Sequence, residues 1–232
     1  MLSAHIAAGH QRLAALLIGG TAAIEVVLVT HHPVAPRVGP GGNPFDSIRA
    51  VVETNLAFHA VLMMILAGQL LGLLLFSRRL GLGRPIVCAG LIFCGLASVL
   101  LVVAMTFDGF VTYELISACS ASAEGCTGST GEGLRVILAA IQAFTKLGFA
   151  AQCLGFAALG AAMWAFGRRI RLAAVLCVGA ALAPIVLIVA GGRVGPAQLV
   201  QVLGLFAGWG LCVALVLVCG ALVERNEAPR SI

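Results

Sequence analysis

Charge is scarce in this sequence. Only 10% of its 232 residues are Asp, Glu, Lys or Arg, where a soluble domain carries roughly 25%. That shortage excludes a soluble globular enzyme, a disordered chain and a nucleic-acid reader. Signature motifs are missing too. There is no Cys-x-x-Cys despite eight cysteines, so the usual redox-active spacing is absent. No P-loop and no Gly-x-Ser-x-Gly is present, which removes the common sequence support for nucleotide binding or serine catalysis. Neither His-x-x-x-His nor His-Glu-x-x-His occurs, and no regular arginine ladder marks a voltage sensor.

What remains is apolar. Hydrophobic residues make up 61% of the chain, and the mean hydropathy is +1.09. Crossing the hydrocarbon takes about 20 mostly apolar residues, and six runs qualify, at about residues 13–31, 53–76, 86–108, 134–166, 172–190 and 198–223. Unpaired backbone groups are too costly in lipid, and the alternation of barrel strands is absent, so the runs read as helices. The predicted fold is therefore all-α: a single transmembrane domain over residues 1–232, a bundle of six helices with short loops. The first run contains Glu25, ends in His31-His32-Pro33 and lacks a small-residue cleavage pattern, so it reads as a retained helix rather than a signal peptide.

Orientation follows from arginine in the short loops. Arg12, Arg78, Arg79, Arg84, Arg168, Arg169, Arg171, Arg225 and Arg230 fall on one side, against Arg37, Arg49, Arg135 and Arg193 on the other. The excess predicts both termini in the cytoplasm and a plasma (inner) membrane location. The segments 32–52 and 109–133 are then external loops. Asp46 or Ser47 is expected to cap a short helical lead into the second span, with Arg49 and Glu53 one turn apart.

Six cysteines, Cys88, Cys94, Cys153, Cys177, Cys212 and Cys219, lie in apolar runs and behave there as small hydrophobes. Cys119 and Cys126 share a polar external segment and are expected to form a disulfide. Gly68-x-x-x-Gly72 and Gly204-x-x-x-Gly208 have the small-residue spacing that brings helix backbones together. Pro184 should kink the fifth helix.

Ionisable groups inside lipid-spanning segments mark functional sites by default. Glu25, His59, Asp108 and Lys146 are such groups, one on each of the first four helices. Glu25 lies about 10 Å along its helix from His32. Asn55 shares a face with His59, and Arg135, Gln142 and Lys146 form one polar stripe on the fourth helix. Together these predict an outward-facing polar pocket among helices 1 to 4. Glu25, His59, Asp108, Gln142 and Lys146 would bind or relay protons. A Glu25–Lys146 ion pair would be either functional or purely architectural. His31, His32 and His59, with Glu25 or Asp108, offer a mixed metal-ligand set, and His31 with His59 a haem pair.

The leading expectation is an integral membrane protein that binds or translocates a small solute, an ion or protons. Two alternatives stand beside it. One is an accessory subunit of a larger membrane complex, and the other a membrane oxidoreductase carrying haem or a transition metal. The expected partners are the lipid bilayer and other membrane subunits or further copies of the chain. No nucleic acid is expected, and nothing in the motifs specifies an enzyme.

Overall fold

The computed structural model describes residues 2–36, 43–121, 126, 128–190 and 194–220. Arg37, Arg193, Arg225 and Arg230 of the charge comparison lie outside these. Among the described residues the chain is helical, without strands. The first pass is α1 (Leu2–Ala15), a π-turn at Leu16–Gly20 and α2 (Thr21–Thr30). A short α3 (Pro44–Arg49) leads into α4 (Val52–Leu80). The third pass is α5 (Pro85–Met105), a second π-turn at Thr106–Val111, and α6 (Thr112–Ala121). There follow α7 (Gly128–Met163), α8 (Arg168–Ala190) and α9 (Pro196–Val218).

This is a multi-pass membrane protein. Among the described residues five helices, Gly9–Thr30, Val52–Leu80, Pro85–Ala121, Ser129–Phe166 and Ala197–Val218, are long and apolar enough to cross a bilayer. The apolar stretch in α8 is shorter, Ile170–Val186. Large apolar side chains such as Leu16, Met64, Ile92, Val136, Leu172 and Leu215 point outward, as a surface solvated by lipid requires. The helix over Pro85–Ala121 has 37 residues, roughly 55 Å at the usual rise, and so extends past the hydrocarbon core of about 30 Å.

Several boundaries differ from the sequence reading. The third helix does not stop at 108. It continues through the π-turn to Ala121, and α7 begins at Gly128, so most of the expected loop 109–133 is helical. Thr106, Asp108, Gly109, Thr112 and Glu114 have loop-like chemistry, yet the first three lie in the π-turn and the last two in α6, with Thr112 Oγ1 donating to the Phe107 carbonyl at 2.9 Å. The lead-in helix α3 is capped by Asn43, whose Oδ1 accepts from Phe45 N at 3.0 Å, rather than by Asp46 or Ser47. Arg49 approaches Asp46 at 4.0 Å, and not Glu53; the pair is exposed and stabilises little. Pro184 is accommodated inside α8.

Small residues set the helix spacing. A Cβ on Gly155 of α7 would lie 2.5 Å from Cys94 Sγ and 2.9 Å from its backbone nitrogen on α5. One on Gly148 would meet Leu101 at 2.8 Å, and one on Gly90 would meet Leu159 at 2.9 Å. A Cβ on Gly72 would meet Ile18 and Leu17 of the first pass at 2.9 Å, so the Gly68/Gly72 pair is a packing face within the bundle. Gly204 and Gly208 have no neighbour within 4 Å of a built Cβ.

The hairpin ends are built from arginine and glycine. Gly81 takes φ +93° and closes α4, its N–H reaching the Ser77 carbonyl at 3.0 Å. Arg84 then donates to the carbonyls of Leu80 at 3.3 Å and Ala162 at 3.1 Å, tying the end of α4 to α7. At the Cys119 end, the Cys119 and Cys126 sulfurs are bonded across Cα atoms 4.8 Å apart.

Candidate functional site

A partly open cavity of about 230 Å³ lies at the end of the bundle opposite the two arginine hairpins. Glu25 and Val29 of α2, with His32 just beyond it, form one wall. His59 and Leu62 of α4, Met105 and Asp108 of the third pass, and Ile141, Gln142 and Thr145 of α7 form the others. The expected pocket among the first four passes is wider than that. Val194, Gly195, Leu199 and Leu203, on and before α9, also line it.

Below the polar groups the cavity is closed. Leu62, Leu101, Phe149 and Leu203 make its floor, each almost fully buried. An aromatic column continues from there. Phe149 and Phe156 each meet Phe206 edge-on, at 5.7 and 5.4 Å. Phe156 stacks on Trp209 at 3.9 Å, and Trp209 meets Phe76 at 6.4 Å. Trp209 Nε1 donates to the Phe156 carbonyl at 3.2 Å, so its polar edge is satisfied.

The centre of the site is a pair from adjacent passes. His59 Nε2 lies 3.3 Å from Asp108 Oδ2. Its other nitrogen, Nδ1, lies 2.8 Å from the Asn55 carbonyl one turn earlier. A carbonyl oxygen can only accept, so Nδ1 carries hydrogen and Nε2 is the atom presented to the carboxylate. The Asn55 side chain completes the link, its Nδ2 donating to the Asp108 carbonyl at 3.0 Å and to Oδ1 at 3.3 Å. Asp108 sits within the π-turn, a distortion that recurs at functional sites. Gly109 beside it is buried against the imidazole.

His32 joins this group from the end of the first pass. Its Nδ1 lies 2.8 Å from the Pro33 carbonyl, which again assigns hydrogen to Nδ1. Its ring meets Phe58 edge-on at 4.8 Å and His59 at 5.4 Å. Burial, and after it the neighbouring His59, push the His32 imidazole below its ordinary pKa, against the opposing pull of Asp108 and the Pro33 carbonyl. His31 does not belong to the cluster. It is exposed, with Nδ1 on the Val27 carbonyl at 2.8 Å.

Of the residues singled out from the sequence, Glu25, His59, Asp108 and Gln142 share the cavity, and Lys146 does not line it. No Glu25–Lys146 ion pair forms, and among the described residues Glu25 makes no side-chain hydrogen bond or ion pair. Gln142 has a structural task besides facing the cavity. Its Nε2 donates to the Val194 carbonyl at 3.0 Å and its Oε1 accepts from Val194 N at 2.9 Å, clamping the approach to α9 against α7. Arg135 is exposed. Sequence reasoning missed the contribution of Val194, Gly195 and α9, and the role of Gly109, whose only signal was its place beside Asp108.

No protein-family model, no curated protein and no solved structure matches this chain.

Proposed function

We propose that this protein holds a small cation, a proton or a metal ion, in the cavity between α2, α4, α7 and the third pass, and exchanges it with one side of the membrane. One observation carries the reading. Two carboxylates, Asp108 paired with His59 and Glu25 without a protein partner among the described residues, face one cavity inside an apolar bundle. Carboxylates at membrane depth are costly unless something balances them. A cation does so, and nothing in the lining supplies a lysine or arginine.

In this proposal α8 provides a sixth crossing, its apolar stretch Ile170–Val186 being extended by the rest of the helix. The two arginine hairpins then lie on the cytoplasmic face of an inner membrane, with both termini. The cavity opens on the far side. Transport across the bilayer requires the aromatic column to part, and occupancy of the site does not.

Difference infrared spectroscopy of the reconstituted protein tests the reading. Switching pH or cation in the perfusing buffer should change carboxyl bands that vanish in Glu25→Gln and Asp108→Asn. Bands that respond to neither protons nor cations in folded wild-type protein would overturn it. Reporter fusions at the two termini test the orientation separately.

A further inference from the structure

The two histidines of the cavity are presented in the same way. Each donates Nδ1–H to a backbone carbonyl, His32 to Pro33 and His59 to Asn55, both at 2.8 Å. In the neutral rings that leaves Nε2 with a lone pair. For His59 that lone pair faces Asp108 Oδ2 at 3.3 Å, an unfavourable meeting of two acceptors unless a proton or a metal ion lies between them. Ligand atoms of His32, His59 and Asp108 all fall within 4.8 Å of one another.

We propose that His32 Nε2, His59 Nε2 and an Asp108 carboxylate oxygen form a three-ligand site for a divalent d-block cation of the zinc, cobalt or nickel kind, with a coordination position open to the cavity. The inference rests on the cation reading above and narrows it. Two imidazoles select such metals over calcium and magnesium, which take oxygen ligands. Donation of the far ring nitrogen to a carbonyl is the usual outer support of a metal-binding histidine, since it fixes the tautomer and orients the ring. Asp108 is supported likewise, because Asn55 holds Oδ1 and leaves Oδ2 toward His59.

The spacing suits the chemistry. Tetrahedral ligands about 2.1 Å from a metal lie roughly 3.4 Å apart, close to the His59–Asp108 separation of 3.3 Å. Each of the three side chains offers a ligand atom within 4.8 Å of the others, and His32, which follows the end of α2 and is not held in a helix, is the ligand placed to close the remaining separation. Glu25 shares the cavity. Once ionised, it would add a second negative charge to that of Asp108 for a dication.

The test is titration of the purified full chain with Co²⁺, read by d–d absorption, and competition by Zn²⁺. One Co²⁺ per chain is expected, displaced by Zn²⁺. His32→Gln should weaken binding at least about 10-fold, while His31→Gln leaves it unchanged. X-ray absorption of the Zn²⁺-loaded wild type provides a readout independent of any variant, and two imidazole ligands are expected. Failure of the wild type to bind either metal, unchanged affinity in folded His32→Gln, or fewer than two imidazoles at the metal would each overturn the proposal. If the metals do not bind but the carboxyl bands of Glu25 and Asp108 still answer to protons or monovalent cations, only the metal assignment falls. If those bands answer to nothing either, the cavity reading falls with it.

Discussion

A side chain on Gly109 would place its Cβ 2.9 Å from His59 Cβ and 3.3 Å from Cγ. The missing methyl is what lets the imidazole lie against the π-turn and meet the neighbouring carboxylate. Gly109→Ala must therefore displace His59 or open the turn. The expected destabilisation is about 1–3 kcal/mol, typical of an overpacked interior. The carboxyl band of Asp108 should shift in the infrared spectrum while the helix content by circular dichroism is retained. Wild-type stability together with an unmoved band would contradict the role given to this glycine.

Gln142 offers a second test, because its two hydrogen bonds both go to Val194. Gln142→Leu leaves a backbone donor and acceptor without that partner, at a cost of about 1–3 kcal/mol. Amide exchange should accelerate over residues 194–199 and stay slow in α7. Protection at Val194 equal to that of wild type would show that the clamp contributes nothing.

Gly155 of α7 and Gly204 of α9 make opposite forecasts. Gly155→Ala drives a methyl into Cys94 across the α5–α7 contact and should cost about 1–3 kcal/mol or more. Gly204→Ala meets open space and should be neutral or stabilising by up to about 1 kcal/mol through helix propensity. Unfolding in mixed micelles, followed by circular dichroism, ranks the two. Equal midpoints would contradict the close packing described for α5 and α7.

Much of this architecture was legible from hydropathy, because apolar length alone decides what can cross a bilayer. The convergence of Glu25, His59 and Asp108 was legible too, since each is a costly group on a different helix at a similar depth. Lys146, grouped with them by the same reasoning, does not line the cavity. It stands four residues after Gln142, which turns it about 40° further round the helix, and the lining face Ile141, Gln142, Thr145 and Phe149 ends before it. The choice between His31 and His32 was not legible, because it depends on where α2 ends and which carbonyl each ring finds. Nor was the helix beyond Asp108. Thr, Asp and Gly there have turn chemistry, and only tertiary contact with His59 and Asn55 decides in favour of a wide helical turn. Gln142 reads from the sequence as one of the binding or proton-handling groups. Its amide turned out to be occupied by backbone that lies fifty-two positions away in sequence.

The blocked floor beneath the carboxylates has a consequence for what any occupant can report. With Phe149 and Leu203 behind the carboxylates, the ion proposed to rest beside Asp108 would come from, and return to, a single compartment. In this conformation its occupancy would record the concentration on that side alone, as a gauge does, whatever gradient exists across the lipid.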